Sequence, residues 1–171
     1  MSASFSPTAT SMLANATENN GIHVWDIDSG EMVRNIAGYS RIAIFSPDGR
    51  TIATASTGVS RDVLLMDVES GEMRFRMVGH TDAIRTASWS VDGKILATGS
   101  NDGTCKVWDS STGALLRTID LGDEDIKSAA WGRNWVLGAI AFAMGHHSRL
   151  GAGSRVLALE AGVAQMILDR V

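Results

Sequence analysis

The sequence predicts an all-β fold of four-stranded antiparallel sheets, three complete and a fourth begun, followed by a short helical tail. Three observations predict it. Trp25-Asp26, Met66-Asp67 and Trp108-Asp109 each close an alternating segment and precede a turn containing Gly30, Gly71 or Gly113, at spacings of 41 and 42 residues. A second register runs through Phe5, Phe45, Trp89 and Trp131 at 40, 44 and 42 residues, with FSP (5–7), FSPDG (45–49) and WSVDG (89–93) as copies of one aromatic-to-turn motif. Inside each unit, apolar and polar residues alternate over short runs bounded by turn residues, the signature of half-buried strands. Two independent markers on one period define a true repeat. A single four-stranded sheet cannot bury both of its faces alone, so it stacks on neighbours like itself. Radial stacking of such sheets makes a propeller, here an incomplete one.

The units follow one another along the chain. The first, at about 1–37, opens on Phe5, carries the alternating IHVW (22–25) and closes at Trp25-Asp26. The second, at about 38–78, opens on Phe45 and closes at Met66-Asp67. The third, at about 79–121, is the clearest. AIRTASW (83–89), KILATGS (94–100), TCKVWD (104–109) and ALLRTI (114–119) alternate with the turns VDG, NDG and SSTG. Connections this short join antiparallel neighbours, and Asp-Gly at 92–93 and 102–103 suits tight turns because both residues tolerate positive φ. A fourth unit begins at 122–131 with IKSAAW (126–131).

These residues resemble the WD-repeat β-propeller family over positions 2 to about 131. The third unit carries the pattern in full: Gly79-His80, Thr98, Asp102 and Trp108-Asp109. The resemblance implies that His80, Thr98, Asp102 and Trp108 form a structural hydrogen-bond relay. The chemistry suits it, with one indole N–H, a hydroxyl that donates and accepts, and an Asp that sets the imidazole tautomer. The other units depart from it. The second has Tyr39 for the His and Met66 for the Trp; the first keeps Trp25 but has Asn15 and Asn19 for the Thr and Asp. Those blades are expected to hold by packing, with weaker relays. Three blades and the start of a fourth do not close the seven-bladed ring usual in the family. A truncated product of a longer gene is the preferred reading. The alternatives are an arc that self-associates to complete a ring and an arc capped by its own tail.

The tail at 132–171 lacks the repeat. RNWVLGAIAFAMG (133–145) is rich in Ala, Leu and Met and reads as a buried helix, apolar all round. HHSRLGAGS (146–154) reads as a loop, and ALEAGVAQMILDRV (158–171) as an amphipathic helix; the competing reading makes VLAL and VAQMILD two late strands. The last helix is similar to the opening of an F-box, with Leu159, Val163, Met166, Ile167, Leu168 and Val171 in the apolar places and Glu160 where that motif has its turn Pro. The similarity implies docking to a ubiquitin-ligase adaptor, while a generic helix packed on the propeller is the simpler reading.

Composition bounds the function. The 171 residues are 44% apolar and 20% charged, as in globular domains, and carry a net charge of −4. This acidity argues against a nucleic-acid partner, which needs a basic surface to displace counterions. No apolar run reaches the length of a membrane span, and the N-terminus has neither the charged nor the apolar region of a secretory signal. The lone Cys105 forms no internal disulfide and no multi-cysteine zinc site. A cytoplasmic or nuclear location is therefore expected.

The candidate chemical groups each have a plainer reading. His80 with Asp82 and Asp102, near Thr81, imitates a hydrolase constellation, yet no G-x-S-x-G elbow accompanies it. His146-His147 are adjacent on a loop and lack metal-site spacing. His23 reads as an outward strand residue and Cys105 as a small buried hydrophobe. GAGS (151–154) has neither the strand before it nor the Lys after it that a phosphate cradle requires. No catalytic, cofactor-binding or metal-binding residue is assigned. A non-catalytic scaffold that binds other proteins is expected, with no cofactor. Its candidate partner contacts are Tyr39, Arg41, Asp82, Arg85, Asp123, Glu124 and Asp125, on loops entering the units. Alternatives are a ubiquitin-ligase substrate receptor, with the tail as docking helix, and a fragment without a function of its own.

Overall fold

A computed structural model describes residues 2–8, 12–17, 21–36, 40–55 and 60–122, together with the backbone of three later strands at 125–131, 140–145 and 155–158. The described residues form strands and turns. Strands β1 (Ala3–Phe5), β2 (Met12–Thr17), β3 (Gly21–Asp26) and β4 (Met32–Ile36) make the first sheet. Strands β5 (Ile42–Phe45), β6 (Thr51–Ala55), β7 (Val63–Asp67) and β8 (Met73–Met77) make the second. The third holds β9 (Ile84–Trp89), β10 (Ile95–Ser100), β11 (Thr104–Asp109) and β12 (Leu115–Asp120). Each is an antiparallel meander in chain order, as short connections dictate.

The repeat is kept to the level of single hydrogen bonds. Asp26, Asp67 and Asp109 each turn the chain after the third strand. Their carboxylates accept the backbone N–H groups of Ser29, Ser70 and Thr112 at 2.9–3.0 Å. Ser46 and Ser90 each donate to the Asp two residues on and accept the N–H of Thr51 or Ile95, closing the hairpin between the first two strands. Register shifts fall at Val24/Trp25, Leu65/Met66 and Val107/Trp108, the same place in each sheet. Such a bulge bends the strand and adds twist, and each sheet applies it where the outermost strand pairs.

The first strands β1, β5 and β9 lie side by side, which makes them the inner strands of a radial stack. Between sheets the contact is one-sided in composition. The first sheet offers small and branched residues, among them Ala14, Ala16, Ile22 and Val24. Against these pack Phe45, Ile52 and Met66 from the second. The second sheet in turn offers Ala53, Ala55, Val63 and Leu65 to Ile84, Trp89, Leu96 and Trp108 of the third. Burying a Phe or Leu side chain contributes roughly 1.5–3 kcal/mol, so these two contacts carry much of the stability.

The tail departs from expectation where it is described. The helix predicted over 133–145 is replaced at Ile140–Gly145 by strand β14, paired antiparallel with β13 (Asp125–Trp131) from Trp131↔Ile140 to Asp125↔Gly145. Strand β15 (Arg155–Ala158) then pairs with β14, in agreement with the late-strand reading of VLAL. The physical reason lies in the edge of β13, which offers a row of unpaired backbone groups. A segment apolar on every side gains as much burial in a sheet as in a helix, so tertiary pairing overrides its helix propensity. Residues 132–139 and 159–171, the latter holding nearly all of the second predicted helix, lie outside the described residues.

Candidate functional site

The polar constellation of the third sheet is buried and continuous. Trp108 on β11 donates its indole N–H to Thr98 Oγ1 on β10 at 2.9 Å. Thr98 lies 2.8 Å from His80 Nε2, and His80 Nδ1 lies 2.8 Å from Asp102 Oδ2 in the β10–β11 turn. Asp102 also accepts the N–H of Thr81 at 2.9 Å, the N–H of Thr104 at 2.9 Å and the Thr104 hydroxyl at 2.6 Å. Burial works to raise the Asp102 pKa, but bonds from Thr104, Thr81 and His80 outweigh it and bring it down to about 2. Asp102 is therefore an acceptor only, which puts the proton on His80 Nδ1 and leaves Nε2 to accept from Thr98. Burial pushes the His80 pKa below its ordinary value, against the pull of Asp102, so the ring is neutral near pH 7. Every donor in the relay meets one acceptor.

This geometry links the loop before β9 to β10, β11 and their turn. Gly79 makes room for it: a Cβ there would stand 3.1 Å from the Trp108 ring. Thr98 is fully buried, so its hydroxyl has no route to a substrate.

The other two sheets solve the same problem differently. In the first, Trp25 donates to Asn15 Oδ1 at 2.8 Å, and Asn15 pairs with His23 as Thr98 pairs with Lys106. In the second, Thr54 holds that register position opposite Leu64 and bonds to the Ser40 hydroxyl, which in turn donates to Ile42 O at 2.7 Å. Arg76 adds an ion pair, with Nε 2.7 Å from the buried Asp62 Oδ2. Ser40, Thr54, Asp62 and Arg76 were not legible as a set. The span between the paired residues Ala55 and Val63 is two residues longer than the matching span between Gly99 and Cys105, which breaks the motif's spacing.

The sequence-predicted contact residues divide. Arg41, Asp82 and Arg85 are exposed at the entry to β5 and β9. The carboxylate of Asp82 accepts the N–H of Ala83 at 2.6 Å, and Arg85 Nε donates to Asn101 at 2.8 Å. Arg41 and Arg85 stand at the same place in the repeat, four residues before Phe45 and Trp89; Arg41 directly precedes β5, and Arg85 falls at the register shift of β9 against β10. Tyr39, Asp123 and Glu124 lie outside the described residues; Asp125 is described only as the first residue of β13.

Comparison with known proteins agrees with the geometry. The family described as WD domain, G-beta repeat matches residues 71–109, the stretch from the turn before β8 to the end of β11. Nuclear distribution protein PAC1 of Coccidioides posadasii is 32% identical over 147 residues, covering 72% of this chain and 31% of that protein. The chain belongs to the WD-repeat family. A ribosome biogenesis protein BOP1 homolog of Culex quinquefasciatus is 44% identical over 72 residues, covering 42% of this WD-repeat chain and 8% of the relative. Transcriptional corepressor LEUNIG_HOMOLOG of Arabidopsis thaliana is 33% identical over 121 residues, covering 70% of the chain and 15% of the relative. The chain thus spans less than a third of the length of these curated relatives.

The remaining candidates of the WD-repeat chain are Cys105, His23, the His146-His147 pair and GAGS (151–154). Cys105 is fully buried on β11, and burial pushes its thiol up to about 12. A thiol held so far from ionisation is a poor nucleophile. His23 stands edge-on to Trp25, with ring centroids 6.1 Å apart. Among the described residues no cluster of His, Cys, Asp and Glu is placed to hold a metal, and no helix is long and apolar enough to cross a membrane. His146, His147 and GAGS (151–154) lie outside the described residues, as does the segment offered for adaptor docking beyond Ala158.

Proposed function

We propose that this WD-repeat chain is a non-catalytic, intracellular protein-interaction module whose contact surface is the rim where the chain enters its inner strands. The observation that carries the reading is the cationic register at that rim. Arg41 and Arg85 are exposed at one equivalent position in adjacent blades, and Lys127 holds the corresponding place in β13, four residues before Trp131. Arg is favoured at interface hot spots because its planar guanidinium binds carboxylates in pairs. Two such groups on neighbouring blades suit a partner with acidic side chains. The His80, Thr98, Asp102 and Trp108 set is read as structural, since its buried hydrogen bonds are used up within the blade. The relatives' names, a nuclear distribution protein, a ribosome biogenesis protein and a transcriptional corepressor, share no reaction.

The test is a comparison of co-purifying proteins between the native chain and the double variant Arg41→Glu, Arg85→Glu. The expected result is loss of specific partners from the variant with its thermal unfolding lowered only slightly, because both side chains are exposed and the Arg85 bond to Asn101 lies at the surface. An unchanged partner set in a folded variant overturns the rim assignment.

A further inference from the structure

Phe5, Phe45 and Trp89 occupy the same position in three successive blades, yet their surroundings differ. Phe45 is 6% exposed and Trp89 9%, each seated on the Ala-rich face of the preceding blade. Phe5 is 71% exposed. Its neighbours on that face follow suit. Leu13 and Trp25 are only half-buried, while Ile52 and Leu96, at the place of Leu13, and Trp108, at the place of Trp25, are closed off from water. The first blade therefore presents a bare copy of the surface that the second and third blades bury.

The two formed contacts say what chemistry fits it: a sheet face of small and branched residues in the place of Ala14, Ala16, Ile22 and Val24. The chain carries one more such row. Strand register sets Trp131↔Ile140 in correspondence with Trp89↔Leu96, and Ala141↔Ala158 with Ala97↔Val107. Ala141, Ala143, Val156 and Ala158 thereby hold the register positions of Ala97, Gly99, Cys105 and Val107, and of that row Ala97, Cys105 and Val107 form an apolar cluster of the third blade.

We infer that the bare face around Phe5 seats the β14–β15 face of a second copy of this chain, head to tail. The contact continues the blade-to-blade packing already present within the chain. Because the two faces differ, the contact is heterologous, and two of them, one at each end, close a dimer of eight sheets. It uses a different surface from the cationic rim, so failure of either reading leaves the other standing.

Light scattering on the eluting native chain tests it. The expected mass is twice 18.1 kDa, falling to that of one chain for Phe5→Asp, whose side chain is exposed and whose circular dichroism stays native. Cross-linking reads the pairing itself: a Phe5→Cys chain mixed with an Ala158→Cys chain is joined by a short bis-maleimide, and neither variant is joined alone. The buried Cys105 stays silent in this assay. A monomeric native chain, as when the chain's own tail or a further repeat of a longer protein covers Phe5, overturns the inference. So do an open polymer, a mass indifferent to Phe5→Asp, or cross-linking within either variant alone.

Discussion

Gly103 and Gly30 have nearly the same backbone, with φ of +74° and +72°, and opposite surroundings. A Cβ on Gly30 meets nothing within 4 Å, whereas one on Gly103 would run into the carbonyl oxygen of Gly122. That oxygen belongs to backbone held in place, since Leu121 donates its N–H to Gly103 O at 2.9 Å. Alanine at position 30 therefore has only the left-handed φ to bear, at a cost of about 1 kcal/mol. At position 103 it must also push back the segment that leads out of β12, and the expected cost is about 2–3 kcal/mol. Thermal unfolding of Gly30→Ala and Gly103→Ala separates the two terms, because the conformational part is common to both. Equal losses would show that the Gly122 contact relaxes freely. The same logic explains why the turn after β11 depends on its Asp. Asp109 gathers the N–H groups of Ser111 and Thr112 and the Ser111 hydroxyl, and these bonds lower its pKa.

Blades carrying the same strands differ in how they tie them together, and one hydroxyl exposes the difference. Thr98→Val keeps the shape of the side chain but leaves the Trp108 indole N–H and His80 Nε2 without a partner inside the third blade. Stranding a buried polar group costs roughly 1–3 kcal/mol, so the expected loss is about 2–4 kcal/mol. Thr54→Val removes the matching hydroxyl from the second blade. Ser40 there keeps its bond to Ile42 O, so the expected loss is about 1 kcal/mol. Urea unfolding of both variants measures the contrast, and similar losses would deny the third blade its special role. The resemblance to the WD-repeat pattern implies this third-blade network, since His80, Thr98, Asp102 and Trp108 stand where that motif has its His, Thr, Asp and Trp. The sequence itself shows the strands: β9 to β12 begin within one residue of the alternating runs that predict them. The Ser40–Thr54 and Asp62–Arg76 pairs escape it because the longer span between β6 and β7 moves one pair away from the other and ordinary residue types carry them. The β14 strand escapes it for another reason. An apolar run without alternation carries no period, and only the waiting edge of β13 decides its form.

Over the whole molecule the ionisable groups that the fold perturbs give stability a plateau with two falling limbs. On the acid side, burial holds the His80 pKa below 6.5, and several aspartates, foremost Asp102 at about 2, lie below 3.8. For each of these the unfolded chain binds more protons than the native one as the pH falls, so stability drops with pH. The loss through His80 starts as the pH passes below 6.5 and ends at its lowered native value. The loss through Asp102 starts as the pH nears 3.8 and runs to about 2. Discounted for solvent screening, it amounts to roughly 2 kcal/mol. On the alkaline side the sign reverses. Cys105 rises from 9.0 to about 12, so the unfolded chain gives up its proton first. Stability then falls above pH 9 by up to about 1.4 kcal/mol per pH unit until the native thiol ionises. Urea midpoints measured from pH 3 to 11 are expected to be flat between 7 and 8 and to fall on both sides. Two variants assign the limbs. Cys105→Ala should flatten the alkaline one while leaving the acid one intact, and Asp102→Asn should make the acid limb shallower below pH 4 from a lower starting stability. A midpoint that rises as the pH drops from 7 to 6 would mean that Asp102 outweighs burial at His80 and holds the ring charged; Thr98 would then accept from both His80 and Trp108 and turn its own proton towards the Lys106 carbonyl 3.5 Å away.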